Sequence, residues 1–383
     1  MGGPVTADQF IEAARRATGL ERFDSDSFRE GLEILIADKT RPGQPELTEP
    51  FRQFVISALA NRLKVTAALD ERPELLERAV ERPVFVFGLP RTGTTLLNNL
   101  LAADPARRSA LTWEIDDPVP PPTSATLTSD PRAVARLEQH RALLAAHPEA
   151  GRIYRGSPVY PNECLFFTRS DFKSLICEST GSLPTYRDWL FQTDMGSTYA
   201  YHKRFLQLHQ ADAPGIWNLK QPSHGLWLDS LLQTYPDARL VWTHRDPVAA
   251  LGSFCSLTKV AHQAFSGPVD LAWIAQNQPW QALQHANRPL DWIERNGGER
   301  IAHVHYADLI RDPIPAMRRL YAALGDDFTP EAEAAMRAWL ADNPQAKFGK
   351  HEYRLDEYGL TASQVRGLFE CYLSCFDIEP EGV

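Results

Sequence analysis

The chain has 383 residues, 43% of them hydrophobic and 23% charged, which supplies one large core and excludes a disordered chain. A formal net charge of -9 argues against a nucleic-acid partner, since gripping a phosphate backbone needs a broad basic surface. No run approaches the ~18 consecutive apolar residues of a membrane span, and no basic, apolar leader opens the chain, so the expectation is a soluble, cytoplasmic protein.

Residues 1–80 read as a helical annex. Phe28, Leu32, Leu35 and Ile36 recur at helical spacing, and Phe51, Phe54, Val55, Leu59 and Leu63 continue the pattern. At Pro83 the pattern changes to a short apolar run, Val84-Phe85-Val86-Phe87. It ends in Gly88-Leu89-Pro90 and is followed by Thr94-Thr95 and the helical run Leu96, Leu97, Leu100, Leu101. That order predicts strand, tight loop and helix. Ile216 to Leu219, Leu240 to Thr243 and Ile301 to His305 read as further buried parallel strands, each followed by a turn and helical periodicity. The expected architecture is α/β: a P-loop-like, three-layer fold on a central parallel sheet. Its main domain covers residues 81–383, with helical insertions at about 115–210 and 255–297 that cover the carboxyl edge of the sheet.

The five cysteines, Cys164, Cys177, Cys255, Cys371 and Cys375, are odd in number, scattered and without a CxxC pair. Neither a disulfide framework nor a metal site is expected of them. Cys371 and Cys375 share a helix face and are expected as buried thiols.

The segment Gly88-Leu89-Pro90-Arg91-Thr92-Gly93-Thr94-Thr95 places backbone N–H groups and hydroxyls at a helix N-terminus directly after a strand, a site for a phosphate-like group. The nucleotide triphosphatase form of such a loop, GxxxxGK[ST], carries a lysine where this chain has Thr94. Arg91 supplies the charge instead. A kinase also wants an acidic Mg²⁺ ligand at another strand end, but the run ending at Thr243 leads into His244-Arg245-Asp246-Pro247. Arg245 can fork onto phosphate oxygens, and Ser253, two helical turns on, can donate to the same anion.

On these residues the chain resembles the sulfotransferases that use 3'-phosphoadenosine-5'-phosphosulfate (PAPS), and most of all the bacterial branch with a PRTGTT loop; the similarity runs over most of the chain. The resemblance implies that Arg91, Thr92, Gly93, Thr94 and Thr95 hold the 5'-phosphosulfate, and that Arg245 with Ser253 holds the 3'-phosphate. It implies that Tyr306, in Tyr306-Ala307-Asp308-Leu309, contacts the adenine. Lys347 and Lys350, near His351, Tyr353 and Gly359, resemble the segment that closes over the nucleotide. Two departures stand out. The cytosolic animal enzymes carry a base-stacking tryptophan where this chain has Leu96, and their RKG clamp is missing.

Sulfuryl transfer needs an in-line acceptor, neutralisation of the leaving oxygen and a base for the acceptor hydroxyl. The sulfuryl group carries less charge than a terminal phosphoryl group, so no metal is expected. Arg91 and the strand-end Lys220 are the candidates for leaving-group charge, and Glu114 is favoured over His224 as the base. The expected reaction moves the sulfuryl group from PAPS, leaving PAP, to a hydroxyl of a small hydrophobic alcohol, phenol or lipid. Aromatic residues Phe166, Phe167, Trp189, Phe191, Phe265, Trp273 and Trp280 are assigned to the acceptor wall. The competing readings are a P-loop nucleotide kinase and a catalytically silent nucleotide-binding relative.

Overall fold

A computed structural model describes residues 5–146, 157–344 and 354–381. Five parallel strands form one sheet in the order β2-β3-β1-β4-β5: β1 (Val84–Gly88), β2 (Arg107–Arg108), β3 (Ile216–Lys220), β4 (Arg239–His244) and β5 (Ile301–His305). Every residue of β1 is buried, as a central parallel strand covered on both faces requires. Alternation along β1 sorts its side chains into two cores. Phe85 and Phe87 enter the larger one, which includes the N-terminal helices, whereas Val84 and Val86 enter a smaller one with Leu97, Met317 and Met336. The three-layer α/β arrangement is therefore present.

The first 80 residues build α1 (Ala7–Thr18), α2 (Arg29–Thr40) and α3 (Glu49–Glu71). The Thr48 hydroxyl caps α3 by accepting from the Phe51 N–H. Arg62 of α3 ties these helices to the body. Its buried guanidinium pairs with Asp24 at 2.6 Å and Asp171 at 2.8 Å, and it also donates to the Ser170 carbonyl at 3.0 Å. Asp171 in turn accepts from Ser197 and Thr198, both at 2.8 Å, so the buried charges are fully bonded.

The strand β2 is absent from the sequence expectation. It is two arginines long, and charged residues carry no apolar-run signal. Each arginine is buried only because it is answered: Arg107 by Asn218, Tyr321 and Asp326, and Arg108 by Glu114. A second correction concerns Cys371 and Cys375. Both are exposed, because their helix, Glu370–Cys375, is a single short turn whose inward face is Tyr372; Cys164, Cys177 and Cys255 are buried. The aromatic residues assigned to the acceptor wall join the larger core or pack at its edge, except Trp273, whose ring lies under the Arg187 guanidinium. Phe167 stacks on Phe205 with centroids 4.4 Å apart, Phe191 meets Trp280 at 4.6 Å, and Phe265 meets Phe54 of α3 at 5.7 Å. No helix among the described residues is long and apolar enough to cross a membrane.

Candidate active site

The loop after β1 is shaped by backbone geometry that few residues accept. Arg91 and Gly93 lie in the left-handed region, at φ 73° and 84°. A Cβ on Gly93 would come 2.6 Å from the Tyr306 ring, so the close approach of loop and ring requires glycine. Thr92 braces the turn from inside: its hydroxyl donates to the Leu89 carbonyl at 2.7 Å and lies 2.6 Å from the Thr243 hydroxyl. With its side chain fully buried, Thr92 has only its backbone N–H to offer an anion. Gly93 is the N-cap of α4 (Thr94–Ala103), so the N–H groups of Thr94 and Thr95 open the helix with no intrahelical acceptor.

Strand register carries the remaining cations to this loop. Val86 pairs with Lys220, and Gly88 pairs with Thr243, so Lys220 and Arg245 leave their strands on either side of it. His244 pairs with His305, which sets Tyr306 beside Arg245. The Arg245 guanidinium lies 4.2 Å from the Tyr306 ring centroid and donates to the Arg91 carbonyl at 2.8 Å. Arg91 donates from Nε to the Ser253 hydroxyl at 3.0 Å. Ser253 belongs to the helix Pro247–Ser266, whose N-cap Asp246 accepts from the Val248 N–H. Arg91, Arg245, Ser253 and Tyr306 thus share one place. A cavity of about 350 Å³ opens there, lined by His244, Arg245 and Tyr306 on one side and residues 377–381 on the other.

The structure buries both proposed bases. Glu114 is fully buried, and its carboxylate accepts from both terminal nitrogens of Arg108, at 3.0 and 2.5 Å, and from the Leu111 N–H at 2.9 Å. Committed to those donors, it is not presented to an acceptor hydroxyl. His224 is 1% exposed and bonded through Nδ1 to the Tyr199 hydroxyl at 3.0 Å; burial pushes its imidazole well below the usual histidine range, so the ring is neutral.

A carboxylate with no distinguishing sequence context meets the strand-end lysine instead. Glu163 meets Lys220 at 2.5 Å, and Lys220 also reaches the Thr95 hydroxyl at 3.4 Å. The Glu163 side chain keeps 25% exposure while that of Lys220 keeps 3%, so the pair sits at the wall of the site with the carboxylate outermost. Lys220 is 57 residues away in sequence, and no spacing rule links Asn162-Glu163-Cys164 to a strand end. Lys347 and Lys350 lie outside the described residues.

A family model described as "Sulfotransferase family" matches residues 83–330. The crystal structure of sulfotransferase STF9 from Mycobacterium avium superposes with a TM-score of 0.92 at 42% identity, covering 100% of both chains. That of sulfotransferase STF1 from Mycobacterium tuberculosis H37Rv gives 0.85 at 32% identity, covering 96% of this chain and 98% of the other. Omega-hydroxy-beta-dihydromenaquinone-9 sulfotransferase Stf3 of Mycobacterium bovis is 25% identical over 304 residues, 74% of this chain and 71% of the relative. With a matched family model spanning well over half of its length and near-complete coverage by solved relatives, the chain belongs to the sulfotransferase family.

Proposed function

We propose that the protein transfers a sulfuryl group from PAPS to the hydroxyl of a hydrophobic small molecule or lipid, with Glu163 as the base. The observation that carries this reading is the Glu163–Lys220 pair at Thr95, the point where the anion loop enters its helix. The donor supplies the sulfuryl group and departs as PAP. The loop N–H groups fit the 5' end of such a donor, with Arg91 turning to it from Ser253, and Arg245 with Ser253 fits its 3'-phosphate. A purine beside Arg245 has Tyr306 as its aromatic neighbour.

Glu163 accepts the proton of the acceptor hydroxyl as its oxygen bonds to sulfur. Lys220 and Arg91 stabilise the negative charge that grows on the bridging oxygen as its bond to sulfur breaks. Lys220 also holds Glu163 in place before the acceptor arrives. The name of the Stf3 relative describes a hydroxylated menaquinone derivative as its acceptor, which supports an apolar hydroxyl compound here as well.

Incubation with sulfur-labelled PAPS and a panel of phenols, fatty alcohols and hydroxylated isoprenoids tests the reading. Label passes to an apolar acceptor in the wild type. Glu163→Gln and Lys220→Ala each lower kcat by about 10²–10⁴-fold while PAP still binds. Full turnover in Glu163→Gln overturns the base assignment. PAP binding without transfer to any acceptor favours a silent nucleotide-binding protein.

A further inference from the structure

Behind the Glu163–Lys220 pair lies a cluster for which sulfuryl transfer has no use. The Cys164 sulfur and one ring nitrogen each from His202 and His224 all lie within 4.8 Å of one another. All three residues are buried, at 1%, 0% and 1% exposure. The Nδ1 atoms of the imidazoles are taken: His202 by the Tyr235 hydroxyl at 2.7 Å and His224 by the Tyr199 hydroxyl at 3.0 Å. Their Nε2 atoms have no hydrogen-bond partner. Phe85 packs 4.9 Å from the His224 ring and Phe167 packs 4.8 Å from the His202 ring, so the surround is apolar.

We propose that Cys164, His202 and His224 form a binding site for one soft d¹⁰ metal ion, copper(I) or zinc(II). A buried nitrogen left without a partner keeps its desolvation penalty, and a cation coordinated by both nitrogens removes it. Sulfur with two imidazoles is a donor set selective for soft ions. The tyrosine hydroxyls are placed as the outer partners that metal-bound histidines need: in the metal-bound form each accepts from an Nδ1–H, the tautomer in which Nε2 coordinates. Ligand distances of about 2.0–2.3 Å put the three donors ~3.5–4 Å apart, so from within 4.8 Å the trio has to contract by about 1.3 Å at most. Binding releases the thiol proton to solvent. A thiolate with two neutral imidazoles then carries one negative charge, which copper(I) neutralises. Zinc(II) leaves a positive charge and a vacant fourth position, so copper(I) suits the apolar surround better.

The position gives the ion a task. The Cys164 N–H donates to the Lys220 carbonyl at 2.9 Å, and Cys164 follows Glu163 in the chain. An ion held there staples the end of β3 to the segment carrying the carboxylate. That consequence rests on the proposed roles of Glu163 and Lys220, whereas metal binding itself does not.

The test uses the full chain with Cys371→Ser and Cys375→Ser, to silence its exposed thiols. The reduced protein is titrated with copper(I) against a chromophoric chelator and, separately, with cobalt(II) as a spectroscopic substitute for zinc. Metal per chain is measured by mass spectrometry after gel filtration, beside PAP binding and the melting temperature. One equivalent of copper(I) or cobalt(II), with a thiolate charge-transfer band and a raised melting temperature, supports the site. Cys164→Ser abolishes the band, and Tyr199→Phe or Tyr235→Phe weakens binding about tenfold in a folded protein. Substoichiometric metal in both titrations, or retention unchanged by Cys164→Ser, overturns the proposal, even if PAP binding and label transfer are intact.

Discussion

The Glu381 carboxylate holds the Arg245 guanidinium at two points, 2.6 Å from Nε and 2.7 Å from Nη2, while the Glu381 N–H donates to Asp246 at 2.9 Å. A carboxylate thereby occupies the fork to which the 3'-phosphate of the donor is assigned, and residues 377–381 wall the adjoining cavity. Nucleotide binding has to displace this contact. Glu381→Gln, which keeps the shape and removes the charge, is expected to tighten PAP binding about three- to tenfold at low salt, with the gain fading as salt rises. Isothermal titration at two ionic strengths measures this, and an unchanged Kd would count against Arg245 as the 3'-phosphate residue.

Glu114 separates stability from catalysis. Its carboxylate is the partner of buried Arg108, and Glu114→Gln leaves that guanidinium without its counter-charge in the interior. Breaking a buried pair from one side costs about 3–5 kcal/mol, and the amide, which still bonds through its oxygen, is expected to cost somewhat less. Denaturant unfolding reads the loss. Specific activity per folded molecule stays at the wild-type level, whereas a drop of 10²-fold or more in well-folded protein restores Glu114 as the base.

Gly93 is the point at which the anion loop is most constrained. An alanine there adopts a left-handed conformation at a cost of about 1–2 kcal/mol and drives a methyl into the Tyr306 ring. Gly93→Ala is expected to weaken PAP binding by at least about tenfold and to lower the melting temperature, and normal nucleotide affinity would show that the loop is not the anion site.

Glu178 gives the fold a pH dependence. It is buried with Asn277 and Gln281 donating to one oxygen and no partner for the other, and burial pushes its carboxyl up to about 8. Between the ordinary glutamate value of 4.5 and that value, the folded state holds a proton that the unfolded chain has released. Stability from this group is therefore complete below the ordinary range and declines as pH rises through about 8. Glu178→Gln removes this slope and raises the melting temperature in mildly alkaline buffer. Parallel pH profiles for the two proteins would refute the assignment.

Local pattern was enough for much of this molecule. β1 announces itself as a short apolar run, because a strand buried on both faces must be apolar at every position; β3 and β4 carry polar residues among their apolar ones, and β5, expected as a buried strand, lies at the sheet edge with His303 exposed. The anion loop announces itself through Gly88, Gly93 and the two threonines, because its chemistry resides in backbone N–H groups that only such residues leave accessible. Arg245 lies directly behind β4 and Ser253 in the second turn of the helix that follows, so their closeness is a matter of local spacing.

Where charges find their partners was not legible. Whether a carboxylate is a base or half of a structural pair depends on what crosses the sheet to meet it. Glu114 and Glu163 look alike in the sequence, and only the fold sends one to buried Arg108 and the other to Lys220. The same holds for the cluster of Cys164, His202 and His224, whose members come from three separate segments and acquire meaning only as neighbours. The layers and the family were thus legible along the chain, since they rest on backbone periodicity and local residue type. Which cation each carboxylate meets is settled only by the fold, because long-range pairing of buried charge follows from strand register and helix packing rather than from any spacing along the chain.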